Sequence, residues 1–342
     1  MKNFIYILLL FALSMGCLTE INFDDGSEAT IISGVITNSQ DERSIFVTRS
    51  KGIDPEYRLL EAPGVIYKNG ELEVELIQQK AGVLSVPPSF KVEAGATYYV
   101  EITTQNNQTY QSRPQEVPAK RRTDSLSFEI VQRQIGININ GETIDQFFVE
   151  VFAHILIPEQ EDTLYYKWQV DESWNFISDS ATCYLTKNVS ETPVVIQTSL
   201  GLPKGLLAIQ ITSEEADIDF FYKHYFNVYL HSIDEELYTY YEKVQRLTEN
   251  TGTLYDEVPA PIKGNVFLSS GEDEFVAGNI EFSLVDTLRL PIKNEDLEIR
   301  LFNVCETDEP CIILPDIVPP CVCRDCRKRP GFGTLKPYYW ED

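Results

Sequence analysis

The sequence predicts a mainly β fold: an N-terminal immunoglobulin- or fibronectin-like β-sandwich, then a second β-rich domain with an inserted helix, then a cysteine-rich C-terminal segment. Three observations predict it. Short runs of alternating apolar and polar residues recur along the chain, as in Leu72–Ile77 (LEVELI) and Tyr98–Thr103 (YYVEIT); period-two alternation marks a strand with one buried face. One stretch has a helical period instead, with Leu237, Tyr240, Tyr241, Val244 and Leu247 at steps of three and four. Five of the seven cysteines crowd between Cys305 and Cys326.

Composition narrows the function classes. A chain of 342 residues sets a prior of two domains, and its 43% hydrophobic content is enough to bury a core and excludes a disordered polymer. The formal charge of -25 excludes nucleic-acid binding, which needs a cationic footprint.

Residues 1–16 read as a signal peptide. Lys2 supplies the positive start and Phe4 to Leu13 (FIYILLLFAL) the apolar run, too short to span a bilayer as a stable helix. Ser14-Met-Gly-Cys17 follows and resembles the lipobox of bacterial lipoproteins, with Ser14 where a leucine is usual. Cys17 is therefore expected to be acylated and to anchor the mature chain. This covalent lipid is the only prosthetic group expected. Residues 17–28, acidic at Glu20, Asp24 and Asp25, read as a tether. Acidic residues just after the lipidated cysteine are similar to the signal that exports Bacteroidetes lipoproteins to the cell exterior, so the expected location is the outer face of the outer membrane.

Residues 29–118 read as the β-sandwich. Strands are expected at Ile32–Ile36, Ile45–Thr48, Leu72–Ile77 and Tyr98–Thr103, with Asn69-Gly70 as a hairpin turn. Residues 119–123, with Lys120-Arg121-Arg122, read as a solvated linker. The second domain, 124–304, is expected to carry strands at Leu126–Val131, Phe147–Ile157, Leu164–Val170, 194–198, Leu206–Ile211 and Phe226–Leu230. A short helix is expected after Ser213. The main helix is expected near 232–249, with Ser232 and Glu235 as its capping box and Asn250 and Gly252 at its end. Strands resume at 265–269 and 277–290.

Without Cys17, six cysteines remain: Cys183, Cys305, Cys311, Cys321, Cys323 and Cys326. An even number in an exported chain reads as a disulfide framework. A zinc site is the competing reading, but the segment has one C-x-x-C, not two separated knuckles. The pairing is open. Cys321 and Cys323 are poor partners for each other, since alternate side chains of an extended segment do not converge on one bond. One of them is expected to reach away, and Cys183 is the only distant candidate.

Two motifs carry a family resemblance. The first is Asn250-Thr-Gly252-Thr-Leu-Tyr-Asp256, continuing through Pro259, Pro261, Gly264 and Asn265. The second is the close of the chain, Cys321-Val-Cys323-Arg-Asp-Cys326 with Lys336-Pro337-Tyr-Tyr-Trp340. Together they resemble DUF4249, a family of Bacteroidetes lipoproteins with no established activity. Val322 departs from it, standing where members often have adjacent cysteines. Members are typically encoded beside TonB-dependent outer-membrane receptors, so the resemblance implies such a receptor as partner.

The residues give catalysis little support. His224 and His231 lie seven apart in a strand, hence on opposite faces; His154 sits in an apolar strand and reads as a core residue. No nucleophile elbow, zinc-protease or nucleotide motif occurs. Glu272-Asp273-Glu274 lacks the alternating spacing of a calcium loop and reads as a solvated turn. The 18 tyrosines, among them Tyr165, Tyr166, Tyr238 and Tyr240, either cap the core or line a binding surface. The expected function is a non-catalytic accessory or substrate-capture subunit of a TonB-dependent transporter. The alternative is a free-standing glycan- or peptide-binding surface lipoprotein; an extracellular hydrolase is the third reading.

Overall fold

A computed structural model describes residues 29–39, 43–51, 54–137, 143–159, 163–188, 195–249, 262–271, 275–301, 325–328 and 330–341. Residues 1–28, with the expected signal peptide, Cys17 and the expected tether, lie outside the described residues. So do Asn250, Gly252, Asp256, Pro259, Pro261, Glu272 to Glu274, Cys305, Cys311, Cys321 and Cys323.

In chain order the first strands are β1 (Thr30–Thr37), β2 (Arg43–Lys51), β3 (Asp54–Leu59), β4 (Gly64–Lys68), β5 (Glu71–Glu75), β6 (Ile77–Lys80), β7 (Val83–Ser85), β8 (Thr97–Thr103), β9 (Thr109–Ser112) and β10 (Gln115–Glu116). They are followed by β11 (Thr123–Ile137), β12 (Thr143–Ile157), β13 (Tyr165–Ile177), β14 (Thr182–Asn188), β15 (Val195–Thr198), β16 (Gly205–Glu215) and β17 (Lys223–Ile233). Helix α1 (Glu235–Glu249), β18 (Val266–Leu268), β19 (Val276–Ala277) and β20 (Ile280–Lys293) complete the set.

The mainly β class is as the sequence predicts, and the sheets divide the work unequally. A large sheet runs β14-β13-β17-β20-β1-β2-β7-β6, with β15, β19 and β3 paired at its sides. A six-stranded sheet (β18-β9-β8-β4-β5, with β10 on β8) packs on one half of it, and a three-stranded sheet (β11-β12-β16) on the other. In the first core Ile32, Ile36, Ile45 and Val47 meet Ile66, Tyr98, Val100 and Tyr110. In the second Val149, Val151 and Ile155 meet Tyr166, Trp168, Phe226 and Leu230. These are the inward-facing alternate residues of their strands, as face-to-face sheet packing requires.

Strand β20 joins the two halves. Ile280, Phe282 and Leu284 enter the first core and Ile292 the second, so both smaller sheets lie on the same side of the large sheet. The regions divided at 119–123 in the sequence reading thus share one sheet: β1 pairs with Ile280–Ser283, and β17 with Leu284–Lys293. The linker is also not free in solvent. Lys120 pairs with Asp286 at 3.0 Å, and the Arg121 amide donates to Ser232 Oγ at 2.9 Å.

Local signals account for most boundaries. Asn69 and Gly70 both have positive φ, at 52° and 85°, the primed turn that matches strand twist between β4 and β5. The expected strand Leu72–Ile77 breaks at Leu76, whose amide donates to Gly64 O at 2.8 Å, and β5 and β6 go to different sheets. The helix expected after Ser213 is instead the end of β16 and one 3-10 turn, Ile218–Phe220. Ser232 does not cap α1. It lies within β17, opposite Tyr166 and Leu284; the cap is Asp234, whose Oδ1 accepts from the Leu237 amide at 2.8 Å.

Cys183 of β14 is bonded to Cys326. This corrects the expectation that Cys321 or Cys323 would reach it: Cys326, not either of those two, is carried to the edge of β14. From there residues 330–341 wrap the sheet. Gly333 forms two backbone hydrogen bonds with Tyr184, covering the β14 edge. Phe332 packs in a small core with Trp174, Phe176 and the disulfide, while Trp340 packs against Tyr184 and Tyr225.

Candidate functional site

Helix α1 covers the face of the large sheet opposite the two smaller sheets. Its acceptance of that position begins with charge. On β20 the odd-numbered Glu281 faces the helix and is 1% exposed. Its Oε2 accepts from Lys167 Nζ of β13 and from the Tyr241 hydroxyl of α1, both at 2.5 Å. Its Oε1 accepts from Ser283 Oγ at 2.6 Å and lies 2.9 Å from His231 Nδ1. Burial by itself would raise the Glu281 carboxyl; the Lys167 ammonium and the His231 imidazole overcome this and hold it well below the ordinary carboxylate range. A buried carboxylate with four donors or partners is satisfied, and the cluster fastens α1 to the sheet.

The odd-and-even rule placed the histidines correctly on opposite faces. His231 belongs to this cluster. His224 lies on the other side, 2.9 Å from Glu172 and stacked between Phe220 and Trp174 at 4.0 and 5.5 Å. His154 is not in the core. Its side chain is half-buried on the outer face of β12, and Nε2 lies 2.8 Å from Ser127 Oγ.

A groove runs beside α1. One part, of about 540 Å³, lies between the first turns of the helix and the segment before β18, and is lined by Arg113, Glu235, Glu236, Thr239, Tyr240, Lys243, Lys263, Gly264, Asn265 and Asn279. A second part, of about 490 Å³, opens over β1 and β2 beside Ser33, Ser44, Phe46, Tyr240 and Tyr241. Tyr240 and Asn279 line both parts, and each is of the size that holds a small ligand. Burial alone raises the Tyr240 phenol above its ordinary value. A further cavity, about 340 Å³ at Thr30 and Tyr110, is lined by polar groups already bonded to one another, such as Tyr110 Oη to Thr30 Oγ1 at 3.2 Å.

Two of the sequence motif residues, Gly264 and Asn265, build this groove's floor. Asn265 is 5% exposed, and its side-chain amide bonds both backbone groups of Ile280: Nδ2 to the carbonyl at 2.7 Å and Oδ1 from the amide at 2.9 Å. Gly264 passes so close to the Gly278 carbonyl that a Cβ there would lie 1.7 Å from its oxygen. Pro337 O accepts from the Trp340 amide at 3.0 Å in the C-terminal wrap, and Lys336 is exposed there, both far from the groove in the fold. Of the tyrosines singled out, Tyr166 is buried, Tyr165 and Tyr238 meet at a tilt with ring centroids 5.1 Å apart, and Tyr240 lines the groove.

Lys167, Glu281 and Tyr241 were not foreseen as a group. Lysine and glutamate ordinarily read as surface residues, and only pairing of β13 with β17 and of β17 with β20 brings them together. Among the described residues no group of three or more His, Cys, Asp or Glu side chains is arranged to hold a metal ion, and no helix is long and apolar enough to cross a membrane.

No curated protein matches the sequence. The model of a family described as a domain of unknown function, DUF4249, matches residues 19–289. That span takes in the sandwich, the cluster under α1, the Gly264-Asn265 floor and most of β20, and the chain belongs to the DUF4249 family.

Proposed function

We propose that the chain is a surface-exposed outer-membrane lipoprotein, anchored through acylated Cys17, that serves as a non-catalytic accessory or substrate-capture subunit of a TonB-dependent transporter. The observation that carries this reading is the groove beside α1. The ionisable groups beneath it are engaged in holding the helix, with Glu281 bonded to Lys167, Tyr241 and Ser283. What lines the groove above them is a mixture of aromatic, polar and charged side chains mounted beside the sheet, as suits recognition. The apolar leader followed by Cys17 and an acidic tether supports delivery to a membrane surface.

A free-standing glycan- or peptide-binding lipoprotein would use the same groove. Co-purification from the native outer membrane separates the two: a barrel receptor recovered in equal amount supports the accessory role, and recovery of the lipoprotein alone overturns it.

A further inference from the structure

We infer that the groove beside α1 takes an acidic oligosaccharide, one bearing uronate carboxylates or sulfates. This inference rests on the capture reading above and names the class of what is captured. At one end Lys243 and Lys263 line the cavity, both exposed and neither with a carboxylate partner among the described residues, whereas the neighbouring Arg113 is paired with Glu236 at 2.6 Å. Two such cations stand out on a chain of charge -25. Glu235 and Glu236 line the same part, but Glu236 is held by Arg113, so Lys243 and Lys263 stand against one remaining carboxylate and leave a local excess of positive charge; charges farther off are screened over about 8 Å at physiological salt.

Toward the other end the lining changes to ring faces and hydroxyls. Phe46 is 49% exposed. The half-buried Tyr240 spans both parts of the groove, and its hydroxyl has no hydrogen-bond partner among the described residues. Ser33, Ser44 and Asn279 add polar groups beside them. Rings that cover the apolar face of a sugar, donors that meet its hydroxyls, and cations for its acid groups form one continuous surface.

A peptide fits this groove less well. An extended peptide binds chiefly by adding its backbone to an unpaired strand edge. Here the second part of the groove lies on the face of β1 and β2, whose backbones are already paired with each other from Thr30 to Ile36.

Isothermal titration of the full lipidated chain in non-ionic detergent tests the inference, with a galacturonic acid tetramer, a neutral galactose tetramer and a glutamate tetrapeptide as probes. The uronate tetramer is expected to bind at least tenfold tighter than either other probe, with affinity falling as salt rises. K243A/K263A should weaken it at least tenfold and flatten the salt dependence, and Y240A should weaken it severalfold, with circular dichroism unchanged. Absence of uronate binding by the folded chain, equal binding by K243A/K263A, or preference for the tetrapeptide would overturn it. If a receptor co-purifies while no uronate binds, the ligand class alone fails. If uronate binds while no receptor is recovered, the accessory role fails and the ligand class stands.

Discussion

Asn265 and Ile280 are joined by two hydrogen bonds, in which a side-chain amide takes the place of a neighbouring strand. Gln115 does the same for Phe282, at 2.9 and 3.0 Å. Both act where β17 has not yet begun to pair with β20, on the edge that Ile280–Ser283 leaves open. On the opposite edge, after β1 has ended, Asn38 bonds both backbone groups of Val285. A strand that changes partners midway leaves buried amides and carbonyls on each side, and three side-chain amides satisfy them.

Replacing Asn265 by Ala should therefore cost about 1–3 kcal/mol, the penalty for buried backbone groups left unpaired. Gly264→Ala should cost at least as much, because its Cβ would overlap the Gly278 carbonyl. Urea unfolding of each variant measures this, and both are expected to lower the midpoint without changing the slope.

The Glu281 cluster predicts a pH dependence. A carboxyl held below its unfolded value of about 4.3 contributes stability above that pH, and the contribution is lost as pH falls toward the lower folded value. E281Q keeps one acceptor oxygen but removes the negative charge that pairs with Lys167, and leaving that ammonium buried without its counter-charge costs about 3–5 kcal/mol at pH 7. The gap between wild type and E281Q should narrow as pH is lowered from 5 to 2.5. A gap that stays constant over that range contradicts the assignment.

The cap of α1 gives a residue-specific test. D234A should cost about 1 kcal/mol and speed hydrogen exchange at the Leu237 amide. S232A should speed exchange at the Arg121 amide instead and leave the first turn of the helix protected. The reverse pattern would restore Ser232 as the cap.

The bond between Cys183 and Cys326 closes a loop of 143 residues in sequence separation. Replacing both by Ser should cost about 2–5 kcal/mol and loosen the C-terminal wrap. Trp340, 7% exposed, should then show red-shifted emission. Limited proteolysis should cut within 330–341 in the variant and spare that segment in the oxidised chain.

Much of this architecture was legible in the sequence because it rests on local rules. Alternation gave the strands, Asn69-Gly70 the hairpin, and the spacing from Leu237 to Leu247 the helix. What escaped depends on pairing between distant segments. Nothing local marks β20 as shared between two partners, so a boundary at 119–123 reads naturally although one sheet crosses it. Ser232 and Asp234 are both good caps by residue type, and only the length of β17 decides between them. Cys326 and Cys323 look alike until the chain's path brings one to β14. Gly264 and Asn265 stood out as motif residues, but their work is to let two backbones touch and to serve as a substitute strand. The groove beside α1 was foreseen only in part, through the abundance of tyrosine that Tyr240 represents.

The central proposal is that the chain, anchored through Cys17, works as the partner of a transporter. The most direct measurement is the stoichiometry of the complex recovered when the chain, tagged at its C-terminus and with Cys17 intact, is purified from its native outer membrane in mild detergent. The proposal predicts one TonB-dependent receptor per chain, and loss of that complex from the membrane fraction when Cys17 is replaced by Ala. Recovery of the chain without a barrel protein, from a membrane in which it is fully anchored, would contradict it.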